Sequence, residues 1–146
     1  MEILIKSFVE LELEELYELL RLRSEVFVVE QECIYQDIDD KDKNAIHVIG
    51  KKNDKIVAYT RIFKPNDYFN NPSIGRVVVA KSYRKQELGK DIMLASIKAI
   101  ESIFNTFTIE LSAQQYLVQF YNDLNFKEEG DGYLEDGIPH IKMIRN

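Results

Sequence analysis

The stretch from Gly75 to Met93, GRVVVAKSYRKQELGKDIM, constrains the fold more than any other part of the chain. Its first part, Val77-Val78-Val79-Ala80, is a short apolar run of the kind that makes a buried strand. After the basic turn Arg84-Lys85 and Gly89, apolar residues recur at helical spacing. Leu88, Ile92, Leu94, Ala95, Ile97, Ala99, Ile100 and Ile103 predict a long helix over Gln86 to Phe104. A strand passing straight into a helix implies layered packing of helices on a sheet. It also leaves unpaired backbone N–H groups at the positive end of the helix dipole, where phosphate is favoured. Arg84, Lys85 and Lys90 add positive charge there. An ordinary strand–turn–helix with solvated charges would show the same residue types, so the spacing must be weighed with the rest of the chain.

Around this centre, strands and helices interleave. Strands are expected at Glu2–Phe8, Ile46–Lys52, Ile56–Lys64, Ile74–Ala80 and Phe107–Ala113, with a closing antiparallel pair at Phe126–Leu134 and Pro139–Ile144. Lys52-Asn53-Asp54-Lys55 is a hairpin turn, and Pro65–Ser73 a surface loop. Ser7-x-x-Glu10 has the form of a capping box ahead of an amphipathic helix. In that helix Leu13, Leu16, Tyr17, Leu20 and Phe27 form the expected core stripe, with Glu12, Glu14, Glu15 and Glu18 opposite. Glu30–Asn44 is polar and acidic and reads as a loop with one short helix. A second helix is expected over Tyr116–Leu124. The class is α/β or α+β, with a mixed sheet.

At 146 residues the chain makes a single domain, 1–146, and 45% hydrophobic residues suffice for its core. A net charge of −6 argues against nucleic acid as a partner, because phosphate backbones need a basic face. No apolar run approaches the roughly 18–20 residues of a membrane span, and the N-terminus does not read as a secretory signal. Cys33 is the only cysteine, so no disulfide framework exists and a cytoplasmic setting is expected. Asp40-x-Asp42-x-Asn44 imitates the start of a calcium loop. Ala45 stands where such a loop needs glycine, and Lys51 where it needs glutamate, so calcium is rejected. Two separated histidines and one cysteine make no zinc site, and no metal is expected. His47 opens a strand and is read as packed or hydrogen-bonded. Cys33 has no activating base nearby in sequence and is read as a bland thiol.

The spacing Arg84 to Gly89 followed by an apolar helix resembles motif A of the GNAT N-acetyltransferases, R/Q-x-x-G-x-G/A. Glu87 stands in place of its first glycine. The later block AQQYLVQFYNDLNF, Ala113 to Phe126, resembles the family's Y-x-x-x-G-F helix. Asn125 there replaces a glycine, and asparagine is the next most tolerant residue of a left-handed backbone. Leu22-Arg23, the run Val26 to Gln31, Tyr35-Gln36-Asp37-Ile38-Asp39 and Glu135-Asp136-Gly137-Ile138-Pro139-His140 are similar to the ElaA branch of that family. The matching blocks run from about Leu19 to Met143 in family order.

The resemblance implies a central, mostly antiparallel twisted sheet of about six or seven strands with about four helices. It implies acetyl-CoA as co-substrate, held by the backbones of Val77, Val78 and Val79 and by the turn Arg84, Lys85, Gln86, Glu87, Leu88, Gly89 and Lys90. Tyr121 matches the tyrosine that faces the CoA sulfur as general acid. Glu30 is a candidate base or amine-binding carboxylate. Gln31, Asp37, Asp39 and His140 fall on the acceptor side, and the crowding of acids there suggests a cationic amine. The expected activity is acetyl transfer to a primary amine, a small molecule or a peptide, by direct attack in a ternary complex. A GNAT-like module that binds acyl-CoA without catalysis is the alternative, kept open by Glu87 and Asn125. Monomer and homodimer are both compatible with the chain.

Overall fold

The computed structural model describes residues 1–146. Seven strands form one sheet: β1 (Glu2–Ser7), β2 (Ile46–Lys52), β3 (Lys55–Phe63), β4 (Ser73–Val79), β5 (Ile109–Gln114), β6 (Phe126–Glu135) and β7 (Ile138–Arg145). Their spatial order is β1-β2-β3-β4-β5-β7-β6. Every neighbouring pair is antiparallel except β4–β5. That parallel step needs a crossover, which the long helix α2 (Leu88–Phe104) supplies. The other helices are α1 (Leu13–Arg23) and the short α3 (Val118–Asn122). A π-helical continuation, Ser24–Glu30, extends α1, so three α-helices stand where about four were expected.

Period-two alternation gives the sheet two apolar faces. Val48, Ala58 and Ile62 join Ile92, Met93, Ile97 and Ile100 of α2 in the larger core. Ile49, Tyr59 and Val78 point the other way and meet Leu19, Leu22 and Val26. The stripe predicted for α1 is therefore displaced. Leu19, Leu22, Glu15 and Arg23 are buried, whereas Leu13 and Tyr17 are 87% and 76% exposed. Leucine and glutamate recur all round this helix, so two phases fit the pattern. Tertiary partners decide between them: Lys6 and Lys51 take the Glu15 carboxylate at 2.7 and 3.3 Å, and Glu18 accepts the Ile56 N–H at 2.9 Å.

Local caps also differ from the simplest reading. The Ser7 N–H donates to Glu10 Oε1 at 2.9 Å, but this closes a 3-10 turn, Phe8–Glu10. The α-helix starts later, where the Glu12 N–H donates to Glu15 Oε1 at 3.0 Å. Helix α2 begins at Leu88 rather than Gln86, because Glu87 adopts a left-handed backbone (φ 60°). Asn125 is left-handed too, at φ 68°, so asparagine does the work of the glycine it replaces.

Candidate active site

Parallel pairing between β4 and β5 consists of one register pair, Ser73↔Glu110. Beyond Ser73 the strands splay, and the β5-facing edge of β4 carries N–H and C=O groups with no ladder partner. The same strand is bulged against β3. Three positions on β3, from Tyr59 to Arg61, face four on β4, from Gly75 to Val78. The extra residue is Arg76, in a left-handed conformation at φ 51°. Splay and bulge together open a cleft of about 720 Å³. Val77, Val78 and Val79 form its floor. Tyr121 and Phe120 enter it from the α2 side of the sheet, and Gln31, Gln114 and His140 from the α1 side.

The turn after β4 forms one end of the cleft. The first α-helical hydrogen bond runs from the Asp91 N–H to the Glu87 carbonyl at 3.0 Å. The N–H groups of Leu88, Gly89 and Lys90 therefore have no partner within the helix. Left-handed Lys85 (φ 67°) and Glu87 (φ 60°) wind the chain into that helix. Arg84, Lys85, Glu87, Leu88, Gly89 and Lys90 all line the cleft. Gln86 does not; its side chain turns away and accepts from Lys52 Nζ at 3.2 Å. A Cβ at Gly89 would meet Phe120 at 3.5 Å and Val79 at 3.8 Å, which is ordinary contact. Neither packing nor backbone angle requires glycine there.

Tyr121 is 6% exposed, with Phe120 and Phe126 edge-on to its ring at 5.1 and 6.1 Å. Its hydroxyl makes no hydrogen bond within the protein. Burial raises the phenol pKa, so the group keeps its proton.

Glu30 also lines the cleft, but it is engaged. Arg84 Nη1 and Nη2 donate to its two carboxylate oxygens at 2.6 and 3.0 Å, while Arg84 Nε donates to the Val79 carbonyl at 3.2 Å. The hydrogen bonds from Arg84 lower the Glu30 carboxyl pKa. A carboxylate held in this way is a poor proton acceptor, which corrects its reading as the base. Gln31 accepts from Gln114 at 3.3 Å across the cleft.

The acids expected at the acceptor entrance are elsewhere. Asp37 and Asp39 are absent from the cleft wall and belong to an internal ion-pair network. Arg23 binds Asp37 at 3.0 Å and Asp42 at 2.7 Å. Arg61 binds Asp42 at 3.0 Å and Asp39 at 2.6 Å. Arg76 approaches Asp37 at 2.8 Å and Asp39 at 3.4 Å. Three arginines neutralise three aspartates, so these residues project no net field towards an amine. Burial works to raise the carboxyl pKa values of Asp39 and Asp42, but the arginines outweigh it and lower both. The network fastens the loop after the π-helical segment onto the bulge of β4. His47 is buried as expected. Its Nε2 donates to the Asp42 carbonyl at 2.9 Å and its Nδ1 accepts from the Tyr59 hydroxyl at 2.6 Å.

His140 lies on the cleft wall, 6% exposed, in a polar group with Ser112, Tyr133 and Glu135. Motif reading passed over Ser112 and Glu135 as site residues. Their signal was alternation: Ser112 and Gln114 on β5, and Tyr133 and Glu135 on β6, share the face of His140 on β7. The left-handed Arg76 had no signal in sequence.

A splayed parallel strand pair, a bulge beside it and a basic helix N-terminus together define an acyl-CoA transferase fold of the GNAT type. The acetyltransferase (GNAT) domain family matches residues 10–146, and the chain belongs to it. It is 42% identical to protein ElaA of Escherichia coli K12 over 138 residues, 93% of this chain and 90% of that protein. The crystal structure of Escherichia coli ElaA superposes with a TM-score of 0.92 at 39% identity, covering 99% of each chain. An acyl-CoA N-acyltransferase from Pseudomonas aeruginosa gives 0.93 at 37% identity, covering all of both chains. A GNAT acetyltransferase from Elizabethkingia anophelis, solved with acetyl-CoA bound, shares the fold at a TM-score of 0.66 and 14% identity, over 98% of this chain and 97% of that one. No helix here is long and apolar enough to cross a membrane.

Proposed function

We propose that this protein is an acetyl-CoA-dependent N-acetyltransferase that transfers the acetyl group to a primary amine by direct attack in a ternary complex. The observation that carries the reading is the partnerless Tyr121 hydroxyl in the cleft beneath the splayed edge of β4. Pyrophosphate sits on the free N–H groups of Leu88, Gly89 and Lys90, where the helix dipole favours it. Pantetheine runs along the open edge of Val77–Val79, and a backbone N–H beyond the bulge donates to the thioester oxygen. This polarises the carbonyl and stabilises the oxyanion as the amine adds. The protonated Tyr121 then donates to the leaving thiolate. The amine enters from the α1 side, past Gln31, Gln114 and His140.

The test is thiol release from acetyl-CoA, measured against a broad panel of small amines and amine-bearing peptides. Turnover with any of them supports the enzyme. Tight acetyl-CoA binding with no turnover on the whole panel would favour a non-catalytic acyl-CoA-binding module instead.

A further inference from the structure

The polar group around His140 has a hydrogen-bond pattern that leaves one place empty. The Ile138 carbonyl can only accept, so His140 Nδ1 carries the hydrogen of their 2.7 Å bond. In the neutral imidazole Nε2 is then bare. It lies 3.3 Å from Glu135 Oε2. The other Glu135 oxygen accepts from the Ser112 hydroxyl at 3.1 Å. With its hydrogen so committed, Ser112 must accept from the Tyr133 hydroxyl, 2.5 Å away. Every hydrogen in the chain Tyr133–Ser112–Glu135 is thus directed, and with His140 neutral and Glu135 ionised none lies between Nε2 and Oε2. In that protonation state two acceptors face each other on the wall of the cleft. The Tyr133 ring stacks on His140 at 6.3 Å, and Gln115 Nε2 donates to the His140 carbonyl at 3.1 Å.

We infer that His140 and Glu135 form the dyad that receives the acceptor amine as an ammonium ion and takes its first proton. This rests on the acetyltransferase reading above. An alkylammonium fits because it offers several N–H donors to two acceptors with one net negative charge. His140 Nε2 takes one proton, and the Glu135 carboxylate stabilises the imidazolium. The neutral amine forms a C–N bond to the thioester carbonyl carbon and the C–S bond breaks. The amine's second proton passes to sulfur through the Tyr121 hydroxyl, and His140 returns its proton to water. In sum, alkylammonium and acetyl thioester give amide, thiol and one proton. Glu30 has no part in this, since Arg84 holds both its oxygens. The acceptor class is a cationic alkylamine whose nitrogen reaches the α1 face of β5 and β7.

The test compares wild type, His140→Gln and Glu135→Gln with n-butylamine and with hydroxylamine, which is largely neutral near pH 7 and so need lose no proton before it attacks. His140→Gln is expected to lower kcat/KM for butylamine by about 10²-fold, as for loss of a general base. Its loss with hydroxylamine is expected to be at least about tenfold smaller. Equal losses on both amines, or no loss on either, overturn the dyad while leaving the acetyltransferase reading intact. Glu135 is half exposed, so Glu135→Gln should fold normally and show the same split. Butylammonium binding to the CoA-bound protein is followed separately by calorimetry, and both variants are expected to weaken it. If wild type turns over no amine but binds butylammonium through these residues, the transfer reading fails and the ammonium site stands. Wild-type affinity in both variants overturns the ammonium site.

Discussion

The Glu30 carboxylate grips the Arg84 guanidinium through both oxygens, joining the end of the π-helical segment to the turn between β4 and α2 across 54 positions of sequence. The pair is about one-third exposed and so contributes little to stability. Its consequence is for the ligand, because it sets a carboxylate beside the turn proposed to receive pyrophosphate. Glu30→Gln is expected to tighten acetyl-CoA binding and to leave kcat nearly unchanged. Titration calorimetry and steady-state kinetics read the two effects. A fall in kcat of the 10²–10⁴-fold size typical of a lost general base would restore Glu30 to that role.

Gly89 separates folding from binding. Its φ is not in the left-handed region and a Cβ fits at ordinary contact distance. Alanine is the better helix former by roughly 0.5–1 kcal/mol, so Gly89→Ala is expected to match or slightly exceed wild type in thermal midpoint. The same methyl group would stand between the free N–H groups and a phosphate. Acetyl-CoA affinity is therefore expected to fall sharply in a protein that is no less stable. Undiminished affinity would move the phosphate site away from this turn.

What sequence made legible follows from what kinds of interaction are local. The β4–turn–α2 unit was readable because strand, turn and helix signals lie within one continuous stretch and agree with each other. The cleft position of Tyr121 and the left-handed backbone of Asn125 were readable through motif spacing. Asp37 and Asp39 were misread because acids close in sequence look like an exposed cluster. Their partners Arg23, Arg61 and Arg76 come from α1, β3 and the bulge, and only the fold brings them in. The phase of α1 failed for the same reason: Lys6 on β1 and Lys51 on β2 make the burial of Glu15 possible. The His140–Glu135 geometry depends on strand pairing and on the directions of individual hydrogens, neither of which the sequence states.

The ion-pair network ties α1, β3 and the bulge of β4 to the Asp37–Asp42 segment. Asp42 is buried and bound by Arg23 and Arg61 together. Removing one partner from a buried pair leaves an uncompensated charge and costs about 3–5 kcal/mol. Asp42→Ala is expected to lower the urea midpoint by an amount of this order. Lys43→Ala, at an exposed neighbouring position outside the network, should scarcely move it. If the two variants unfold alike, the network is not holding the loop.

Stability should depend on pH in two steps. Burial lowers the His47 pKa below its ordinary value of about 6.5. The unfolded chain then binds more protons at this site than the folded one, so stability is full above about pH 6.5 and declines below it. Glu15 behaves alike lower on the scale. Burial works to raise its carboxyl, but the Glu12 N–H, Lys6 and Lys51 prevail and hold it at about 2. Asp39 and Asp42 are depressed in the same sense. Their contribution is present above the ordinary carboxylate range near pH 4 and is lost as pH falls through the depressed values. Urea midpoints from pH 8 to 3 should therefore show a shallow decline below about 6.5 and a steeper one below about 4.5. His47→Gln should remove the first and keep the second.

Tyr121→Phe isolates the proposed proton donor. The ring keeps its edge contacts with Phe120 and Phe126, and the hydroxyl has no protein partner to be left unsatisfied. Thermal stability and acetyl-CoA affinity are expected to stay at wild-type values. Turnover should fall by about 10²–10⁴-fold where chemistry is the slow step, because the leaving thiolate must then be protonated by solvent. The burial that raises the phenol pKa also keeps the group protonated through the alkaline range, so wild-type turnover should show no loss of this donor as pH rises from 7 to 9. The penalty should shrink with acyl donors whose leaving thiol is more acidic, since a stable thiolate needs no proton in the transition state. Comparing acetyl-CoA with an activated aryl thioester of acetate in wild type and variant measures that difference. A penalty of equal size on both donors would assign Tyr121 to positioning the acyl group and return the proton transfer to water.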